Sequence, residues 1–456
     1  MRFDFSGFPL GNRGFATAPM AFCEPAAIGA FGGLVELAMI ETGNRRAREH
    51  WQKVQMQNLL AHAAQRSPFW RARLGAGRPG DAKLAALPVL SRPDVLHQVA
   101  TEGALLGPRD GIAVQPHSTS GSSGTPVKFF ISDMNVRYNR MRSLAQYFIE
   151  GRDPTLNRTR ITSLPVAAPQ GFTVEMSDTW LGDLSPMIRS GRNKHIAYFH
   201  PDLKRLRKEL ESDPIGYMVT PPRAVETLLG EMTPETLKRA GTAMIVTLAE
   251  PVDPALRREF EAVGIPIRAT YSSEEVGPIG MECPHRPGHY HVASSNVIVE
   301  IGRDGAVEVD GARLGRVLVT HLHSYATPFV RYDVGDVAQL ADRCPCGHDG
   351  PTLSHIHGRG KGLVKRPDGR VQTFYMKSYE LTRVAAFDEF RIRQTAPDRM
   401  VVEIARAAPL TPAESDGLRA VVARHAGESI AVEVRSVPTI DWGEDTKRLG
   451  YRSEVL

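Results

Sequence analysis

The sequence Thr119-Ser120-Gly121-Ser122-Ser123-Gly124-Thr125-Pro126 lies between two predicted strands, the second of which covers 127–131. Its glycines allow the backbone to turn so that successive N–H groups point inward, and its hydroxyl groups add further donors. A loop of this kind suits a polyphosphate. It is not the Walker pattern, because no Gly-Lys-Ser/Thr follows. Taken alone, the stretch is equally compatible with a flexible surface loop.

Strands and helices alternate in the sequence that follows this loop. The predicted strands are 160–165, 217–220, 243–248 and 265–270, and the predicted helices are 135–150, 201–211, 222–230 and 253–263. Strands separated by helices of about 10–15 residues are typical of βαβ units and a mostly parallel sheet. Before the loop, apolar residues at near-helical spacing predict a helical region over 43–75, with Ser67-Pro68 as a stop signal.

The pattern changes after Tyr271. Short strands separated by glycine-containing turns are predicted at 297–301, 306–310, 316–320 and 329–332, as in an antiparallel sheet or small barrel. A basic, glycine-rich connection covers 358–370, and a strand–strand–helix–strand unit follows at 390–394, 400–404, 412–425 and 430–434. The predicted class is α/β: a large N-terminal domain (1–357) of mostly parallel α/β sheets plus a β-barrel-like part, a connection (358–362) and a small α+β C-terminal domain (363–456).

Composition narrows the class of protein without naming a partner. The chain has 456 residues, enough for two or three domains, and is 42% hydrophobic and 23% charged. These values exclude a disordered or collagen-like chain. A net charge of +5 from 56 basic and 51 acidic residues is weak evidence for nucleic-acid binding.

The N-terminal region and the cysteines bear on location. Glu24, Pro25 and Glu36 interrupt the apolar stretch 20–40, so neither a membrane span nor a secretory signal is expected. Four cysteines, three of them late in the chain, argue against a disulfide framework. We therefore expect a protein of the reducing cytoplasm.

Three further motifs each follow a predicted strand. They are Ala249-Glu250-Pro251, Tyr271-Ser272-Ser273-Glu274-Glu275-Val276-Gly277 and Arg331-Tyr332-Asp333-Val334-Gly335-Asp336. With the loop at 119–126 and the C-terminal segment described below, their order and spacing resemble the adenylate-forming superfamily, and most closely its phenylacetate–CoA ligase-like branch. The resemblance covers residues 50–456 and implies fold and reaction, but it does not identify the acid.

The resemblance implies a role for each motif. The loop, Thr119, Ser120, Gly121, Ser122, Ser123 and Gly124 among its residues, would cover the β- and γ-phosphates of ATP. Ala249 and Glu250 would border adenine, in the place of the family's Gly-Glu-Pro, and Tyr271 and Ser272 would lie beside it. Glu275 matches the carboxylate that holds Mg²⁺, with Glu274 as a near alternative. Asp336 would accept hydrogen bonds from the ribose hydroxyls, and Arg359 matches the basic residue before the hinge.

The C-terminal domain carries two further expectations from the same resemblance. Lys361, between Gly360 and Gly362, matches the hinge about which the C-terminal domain swings between two catalytic poses. Lys447 matches the lysine that stabilises charge during adenylation, although the family's preceding glycine is absent here. Arg448 and Arg452 are alternatives for this catalytic role.

Cysteines and histidines form a separate candidate metal site. Cys344 and Cys346 belong to a knuckle-like Cys-Pro-Cys-Gly turn, and Cys283 lies about sixty residues upstream in a stretch that also contains His285, His289 and His291. Zinc prefers four thiolate or imidazole ligands, so the set predicts a structural Cys₃His site. Its histidine is best matched by His291, with His285 and His289 as alternatives. The spacing of His321 and His323 also suggests a metal, but ordinary sheet residues are favoured.

The implied activity is ATP-dependent activation of a carboxylic acid (aryl, arylacetic or small acyl) to an acyl-adenylate with release of pyrophosphate, followed by thioester formation with coenzyme A. ATP, Mg²⁺, coenzyme A and structural Zn²⁺ are the implied cofactors and co-substrates. Members of the family are often dimers, so a homodimer is an expectation, and neither nucleic acid nor a membrane is an expected partner. Two alternatives remain: transfer of the acyl group to an amine or carrier-protein thiol, and a zinc-dependent nucleic-acid-binding protein using 359–370.

Overall fold

A computed structural model describes residues 24–75, 83–119, 126–163, 171–198, 202–358, 362–374, 376, 378–442 and 450–456. The N-terminal part contains the helices α1 (Pro25–Thr42), α2 (Arg45–Arg66), α3 (Pro68–Leu74) and α4 (Arg92–Glu102). The helical region predicted over 43–75 is divided at Ser67. The Ser67 backbone N–H donates to the Ala63 carbonyl at 2.9 Å and ends α2, while its hydroxyl accepts the Trp70 N–H at 3.0 Å and begins α3.

The helix α1 is long and apolar enough, by length and composition, to cross a membrane. In the structure, one side of α1 packs against α5 (Asp133–Ile149), with Leu34 and Leu37 fully buried. Its Glu41 forms an ion pair with Arg142 of α5 (Nε–Oε1 2.9 Å) and accepts from the backbone N–H of Ser295 at 2.8 Å. A buried, ion-paired carboxylate ties this helix to the rest of the chain.

A short antiparallel hairpin precedes α5 and frames the loop at 119–126. Its strands are β1 (Val114–Ser118) and β2 (Lys128–Ser132). The Ser132 side chain and the Asn135 side chain form a capping box at the start of α5. The hairpin therefore presents the loop at the end of two strands, directly before a helix.

Six strands form the first half of a large sheet. They are β3 (Arg158–Ser163), β4 (Phe172–Ser177), β5 (Asn193–Tyr198), β6 (Gly216–Thr220), β7 (Thr242–Leu248) and β8 (Ile267–Ser273). Their spatial order is β4-β5-β3-β6-β7-β8, parallel except for β4. One face packs on α6 (Leu203–Glu211), α7 (Pro222–Leu228), α8 (Pro234–Arg239) and α9 (Pro254–Ala262). This alternation confirms the predicted βαβ organisation.

The second half continues the same sheet with antiparallel strands. They are β9 (Gly277–Cys283), β10 (Arg286–Val292), β11 (Val297–Val309), β12 (Ala312–His321), β13 (Tyr332–Ala341) and β14 (Thr352–Gly358). Two predictions here are wrong. The strands predicted at 297–301 and 306–310 are one strand with a register shift between Gly302 and Val307. The segment predicted at 329–332 is not a strand, because Arg331 has a φ of +53° and breaks the extended backbone before β13.

The C-terminal part begins with a hairpin, β15 (Leu363–Lys365) and β16 (Val371–Thr373), that joins the edge of the large sheet. It continues with α10 (Ser378–Thr382), β17 (Glu389–Ala396), β18 (Arg399–Ala405), α11 (Pro412–Ala426), β19 (Ala431–Val437) and β20 (Tyr451–Ser453). The last four strands form a separate sheet of order β19-β18-β17-β20. Leu363 packs with the large sheet and Val364 with the C-terminal core, so the hairpin contacts both parts.

Candidate active site

A cavity of about 550 Å³ lies at the carboxyl ends of β6, β7 and β8. In open α/β sheets this edge is where ligands bind. Residues of four separate predicted motifs line it: Thr119, Ala249, Glu250, Pro251, Tyr271, Ser272, Glu274, Glu275 and Asp336. Motifs more than 200 residues apart in sequence therefore share one space.

The loop predicted to bind phosphates is anchored at its base. The Thr119 N–H donates to the Val127 carbonyl at 3.0 Å, and the Val127 N–H donates to the Thr119 hydroxyl oxygen at 2.9 Å. Thr119 lines the cavity. Ser120, Gly121, Ser122, Ser123 and Gly124 lie outside the described residues.

Ala249 follows β7 and has a φ of +70°, in the left-handed region that favours glycine. This is the position at which the sequence departs from the Gly-Glu-Pro of the superfamily that it resembles. Ala249 therefore adopts a backbone conformation that glycine adopts without a Cβ penalty. Glu250 and Pro251 then follow along the cavity wall.

Tyr271 and Asp336 meet across the sheet. The Tyr271 hydroxyl donates to Asp336 Oδ2 at 2.7 Å. Burial raises the pKa of Tyr271 well above its usual value, and the neighbouring Asp336 carboxylate raises it further. The phenol is therefore a permanent donor that holds one oxygen of Asp336, while the carboxylate lines the cavity and can accept from a vicinal diol.

The two adjacent glutamates have different partners. Glu275 Oε1 accepts from the hydroxyl of the buried Tyr332 at 3.0 Å. Glu274 Oε2 lies 3.2 Å from His117 Nε2, on the strand that leads to the loop, and its side chain is 55% exposed. Both carboxylates line the cavity. Glu275 is the more firmly oriented of the two, because its partner is a fully buried phenol.

Sequence reasoning missed Arg92, which lies at the start of α4 and lines the cavity. The Leu90 N–H donates to the Arg331 carbonyl and the Asp333 N–H donates to the Leu90 carbonyl, both at 3.0 Å, so the segment before α4 is docked beside β13. This docking brings the Arg92 guanidinium to the Tyr332 hydroxyl. The Ser91–Asp94 capping box marks the helix start in the sequence, but nothing there links it to the cavity.

The C-terminal part forms the opposite wall, through Met376, Phe390, Gly450 and Tyr451 among others. Arg359, Lys361 and Lys447 lie outside the described residues. Their described neighbours Gly358, Gly362 and Gly450 all line the cavity. The described residues on both sides of the predicted hinge, and the residue that follows the segment containing Lys447, thus border the same cavity as the nucleotide motifs.

A second cluster lies away from this cavity. Single ligand atoms of Cys283, His291, Cys344 and Cys346 all lie within 4.8 Å of one another. A tetrahedral zinc ion, with Zn–S of about 2.3 Å and Zn–N of about 2.0–2.1 Å, separates sulfur from nitrogen by about 3.5 Å; Cys346 Sγ and His291 Nε2 are 3.4 Å apart. The donor set and its spacing fit zinc. Of the three candidate histidines, the structure brings only His291 to the sulfurs among the described residues.

The surroundings of this cluster order its ligands. The His348 ring stacks on His291 with centroids 4.0 Å apart and an interplanar angle of 15°. Arg48 of α2 donates to the Asp349 carbonyl and so fixes the cysteine turn against the N-terminal helices. Burial raises the pKa of the Cys283 thiol to about 12. Buried thiols of this kind are structural groups, not nucleophiles.

His321 and His323 do not join a metal-ligand cluster in the described part of the chain. His321 Nε2 donates to Asn296 Oδ1, and its Nδ1 accepts from Asn135, both at 3.2 Å. His323 Nε2 lies 2.9 Å from the Ser295 carbonyl. Burial lowers the pKa of His323 to about 4, so the ring is neutral. Both are hydrogen-bonded core residues.

No protein-family model matches the chain, and no curated protein sequence matches it. Solved structures do. The chain is similar to 2-hydroxyisobutyryl-CoA ligase in the postadenylation state with its acyl-AMP, with a TM-score of 0.61, 17% identity and coverage of 91% of this chain and 90% of that one. The same ligase with acyl-AMP and CoA in the thioesterification state gives a TM-score of 0.55 at 17% identity, covering 91% and 92%. The predicted adenylate-forming fold is confirmed: this chain has the fold of an AMP-forming CoA ligase.

Proposed function

We propose that the chain is an AMP-forming acid–thiol ligase, of the phenylacetate–CoA ligase-like branch, that converts a carboxylic acid, ATP and coenzyme A to an acyl-CoA. The observation that carries this proposal is the single cavity lined by Thr119, Glu250, Tyr271, Glu275 and Asp336. Acidic residues and turns without a shared role would not be expected to line the same cavity. The fold alone does not identify the reaction. The meeting of these residues in one cavity is what supports the proposed reaction.

The nucleotide is bound in three parts. Asp336, held by Tyr271, accepts from the ribose hydroxyls, and the backbone of Ala249-Glu250 borders the base together with Tyr271 and Ser272. The loop 119–126 supplies N–H and hydroxyl donors to the β- and γ-phosphates. Arg92 adds a cation at the Glu275 end of the cavity, where pyrophosphate charge accumulates.

Magnesium fits the acidic end of the cavity. It takes hard oxygen ligands and is often held by one or two carboxylates plus substrate phosphates. Glu275 provides such an oxygen and is oriented by Tyr332. When bound, the ion would neutralise phosphate charge. Glu274, paired with His117, remains the alternative ligand.

Two half-reactions then use the same cavity. A carboxylate oxygen of the acid attacks the α-phosphorus of ATP, and pyrophosphate leaves. Lys447, three residues before the cavity-lining Gly450, stabilises the charge that develops; three residues span at most about 11 Å. Rotation at Lys361 next removes this lysine, and the coenzyme A thiolate attacks the acyl carbon and displaces AMP. In this scheme 1–357 and 363–456 are the moving bodies and 358–362 the connection.

Structural zinc belongs to the same proposal. Cys283, His291, Cys344 and Cys346 would hold the ion with no open position, so it stabilises the fold without taking part in the reaction. We further propose a cytoplasmic enzyme, acting as a homodimer on small molecules, without nucleic-acid or membrane partners.

A pyrophosphate-release screen tests the function. Aryl, arylacetic, short aliphatic and hydroxy acids are supplied with MgATP, with and without coenzyme A. We expect acid-dependent pyrophosphate release and, with coenzyme A, a thioester. Release that depends on an added amine or carrier protein, and not on coenzyme A, would move the assignment to the alternative acceptor. An absence of release with every acid would contradict the proposal, and salt-dependent retention on DNA would favour the nucleic-acid alternative.

A further inference from the structure

The hairpin β15–β16 follows the predicted hinge, so it belongs to the C-terminal part of the chain, yet it touches the N-terminal part. Among the described residues, its backbone pairing with the large sheet is the single register pair of Val309 in β11 with Val371 in β16. Leu363 adds an apolar contact, in a small cluster with Val309. A junction with so little backbone pairing depends on side-chain contacts for its strength.

Asp310 supplies such a contact, and we call it, together with its bonds to β16, the β11–β16 contact. Asp310 Oδ2 accepts from the Thr373 hydroxyl at 2.6 Å and from the Thr373 N–H at 3.2 Å. The Asp310 N–H in turn donates to the Val371 carbonyl at 3.4 Å. Hydrogen bonds to a carboxylate are stronger than those between neutral groups. One side chain therefore fastens the end of the hairpin to the N-terminal part.

The turn in which Asp310 lies does not itself need this carboxylate. Asp310 and Gly311 join β11 to β12 and have φ values of +48° and +80°, as in a type I′ hairpin turn. Asparagine, aspartate and glycine all suit the first position of such a turn. The turn thus accounts for the backbone conformation at this position, whereas the bonds from Thr373 require an acceptor.

Thr373 connects the β11–β16 contact to the segment that carries the candidate catalytic lysine. Thr373 lines the active-site cavity, and the next residue, Phe374, packs against Tyr451 with ring centroids 4.1 Å apart. The Tyr451 hydroxyl donates to the Leu363 carbonyl at 2.7 Å. Tyr451 lies four residues after Lys447. The position of the hairpin therefore helps to set the position of this segment.

The hairpin is also bonded firmly to the rest of the C-terminal part. Gln394 of β17 accepts from the Lys365 N–H at 3.1 Å and donates to the Lys365 carbonyl at 2.5 Å. Val364 and Phe374 are buried in the C-terminal core. A rotation of the C-terminal part at 358–362 would therefore carry the hairpin with it and break the hydrogen bonds to Asp310.

We propose that Asp310 and Thr373 are positioning residues for acyl-adenylate formation. Their contact holds the C-terminal part in the arrangement in which the segment of Lys447 borders the cavity, and it opens before coenzyme A reacts. The inference rests on the proposed function. Because the two half-reactions use different arrangements of the same protein, the strength of the β11–β16 contact sets the ratio of their rates.

The experiment removes the contact from each side in turn. Asp310→Gly deletes the carboxylate and keeps a residue that suits the turn. Thr373→Val deletes the hydroxyl, and Thr373→Ser retains it. Thr101→Val is the matched control, because Thr101 is an exposed threonine of α4 whose hydroxyl donates to the His97 carbonyl at 2.8 Å. Acyl-adenylate formation, and thioester formation from supplied acyl-adenylate, are measured separately in single turnovers with an acid that releases pyrophosphate.

We expect the ratio of the adenylation rate to the thioester rate to fall about 3- to 10-fold in Asp310→Gly and about 2- to 5-fold in Thr373→Val. Thr373→Ser and Thr101→Val should keep the wild-type ratio. A contact that only stabilises the fold would lower both rates together and leave their ratio unchanged. An unchanged ratio in Asp310→Gly, or a ratio that rises, would overturn the proposal.

Hydrogen exchange separates this inference from the proposed function, because it needs no substrate. The Asp310 amide donates across the β11–β16 contact, so it exchanges when the contact opens. In Thr373→Val it should exchange about 2- to 5-fold faster than in wild type, with the amides of β17 and β18 unchanged. If no acid releases pyrophosphate but this exchange accelerates, the function fails and the contact stands. Exchange at the wild-type rate would refute the contact whatever the activity.

Discussion

The candidate active-site cavity joins motifs more than 200 residues apart and the cysteine cluster joins segments about sixty residues apart, and the two are built for opposite purposes. The cavity is about 550 Å³, lies between the large sheet and the C-terminal part, and keeps its carboxylates accessible. In the cluster, four ligand atoms lie within 4.8 Å of one another and leave no room for a substrate. Because of this difference, we expect substitutions in the cavity to change enzymatic activity but not the free energy of unfolding. Substitutions in the cluster should change the free energy of unfolding but not the activity.

The largest effect is expected for Lys447→Ala. Removing a cation from the developing charge costs about 10²- to 10³-fold in rate, so acyl-adenylate formation should fall by that factor. Thioester formation from supplied acyl-adenylate should change far less. Arg448→Ala and Arg452→Ala are the comparison variants. Equal losses in both half-reactions, or a larger loss in either arginine variant, would contradict the role of Lys447.

The cluster is tested by Cys344→Ser. Loss of a structural metal should lower the free energy of unfolding by about 3 kcal/mol or more, with zinc content falling well below that of wild type. Below the unfolding transition, kcat should stay within about twofold, because no cavity residue is touched. Metal analysis and thermal unfolding measure both. Wild type purified without chelator and containing under half an equivalent of zinc would argue against the site.

Asp336→Asn should change the kinetics and leave the stability unchanged. The amide still accepts from Tyr271 but loses the charge that strengthens bonds from the ribose, so the KM for ATP should rise about 10- to 100-fold. Its unfolding midpoint should match wild type. Asp342→Asn is the control, since Asp342 is an exposed carboxylate paired with Arg45. An unchanged KM for ATP would remove Asp336 from the nucleotide site.

Tyr332→Phe should have a moderate effect. Loss of the hydroxyl frees Glu275 to rotate, which should raise the Mg²⁺ concentration needed for half-maximal rate by about fivefold. Glu275→Gln should be more severe than Glu274→Gln in the same titration. The reverse order would assign the magnesium role to Glu274.

The smallest effect concerns Ala249. A left-handed backbone conformation costs alanine about 1–2 kcal/mol, and glycine avoids this cost. Glycine in turn loses about 0.5–1 kcal/mol more conformational entropy on folding than alanine does. Ala249→Gly should therefore raise the free energy of unfolding by about 0.5 kcal/mol. The control, Ala420→Gly at an exposed site of α11, should lower it by about 1 kcal/mol. Destabilisation by Ala249→Gly would show that the turn is unstrained.

Much of the fold was predictable because it depends on local periodicity. The alternation of strands and helices between 158 and 273 follows from apolar spacing, and β2, α5 and α11 lie close to their predicted bounds. The failures have physical causes. Positive φ at Arg331 ends an extended stretch that looks continuous in sequence, and a register shift joins two predicted strands into β11. Neither the positive φ nor the register shift is visible in the pattern of apolar residues from which the strands were predicted.

The amino-acid sequence by itself determined which groups this protein brings to chemistry: a loop of glycines and hydroxyls, acids at strand ends, and three clustered cysteines with nearby histidines. Only the tertiary structure decided how they are used. It selected His291 over its neighbours, oriented Glu275 with Tyr332 and brought Arg92 to the cavity. The reason is that side-chain period and composition are local properties, whereas strand order and register place residues hundreds of positions apart within a few ångströms.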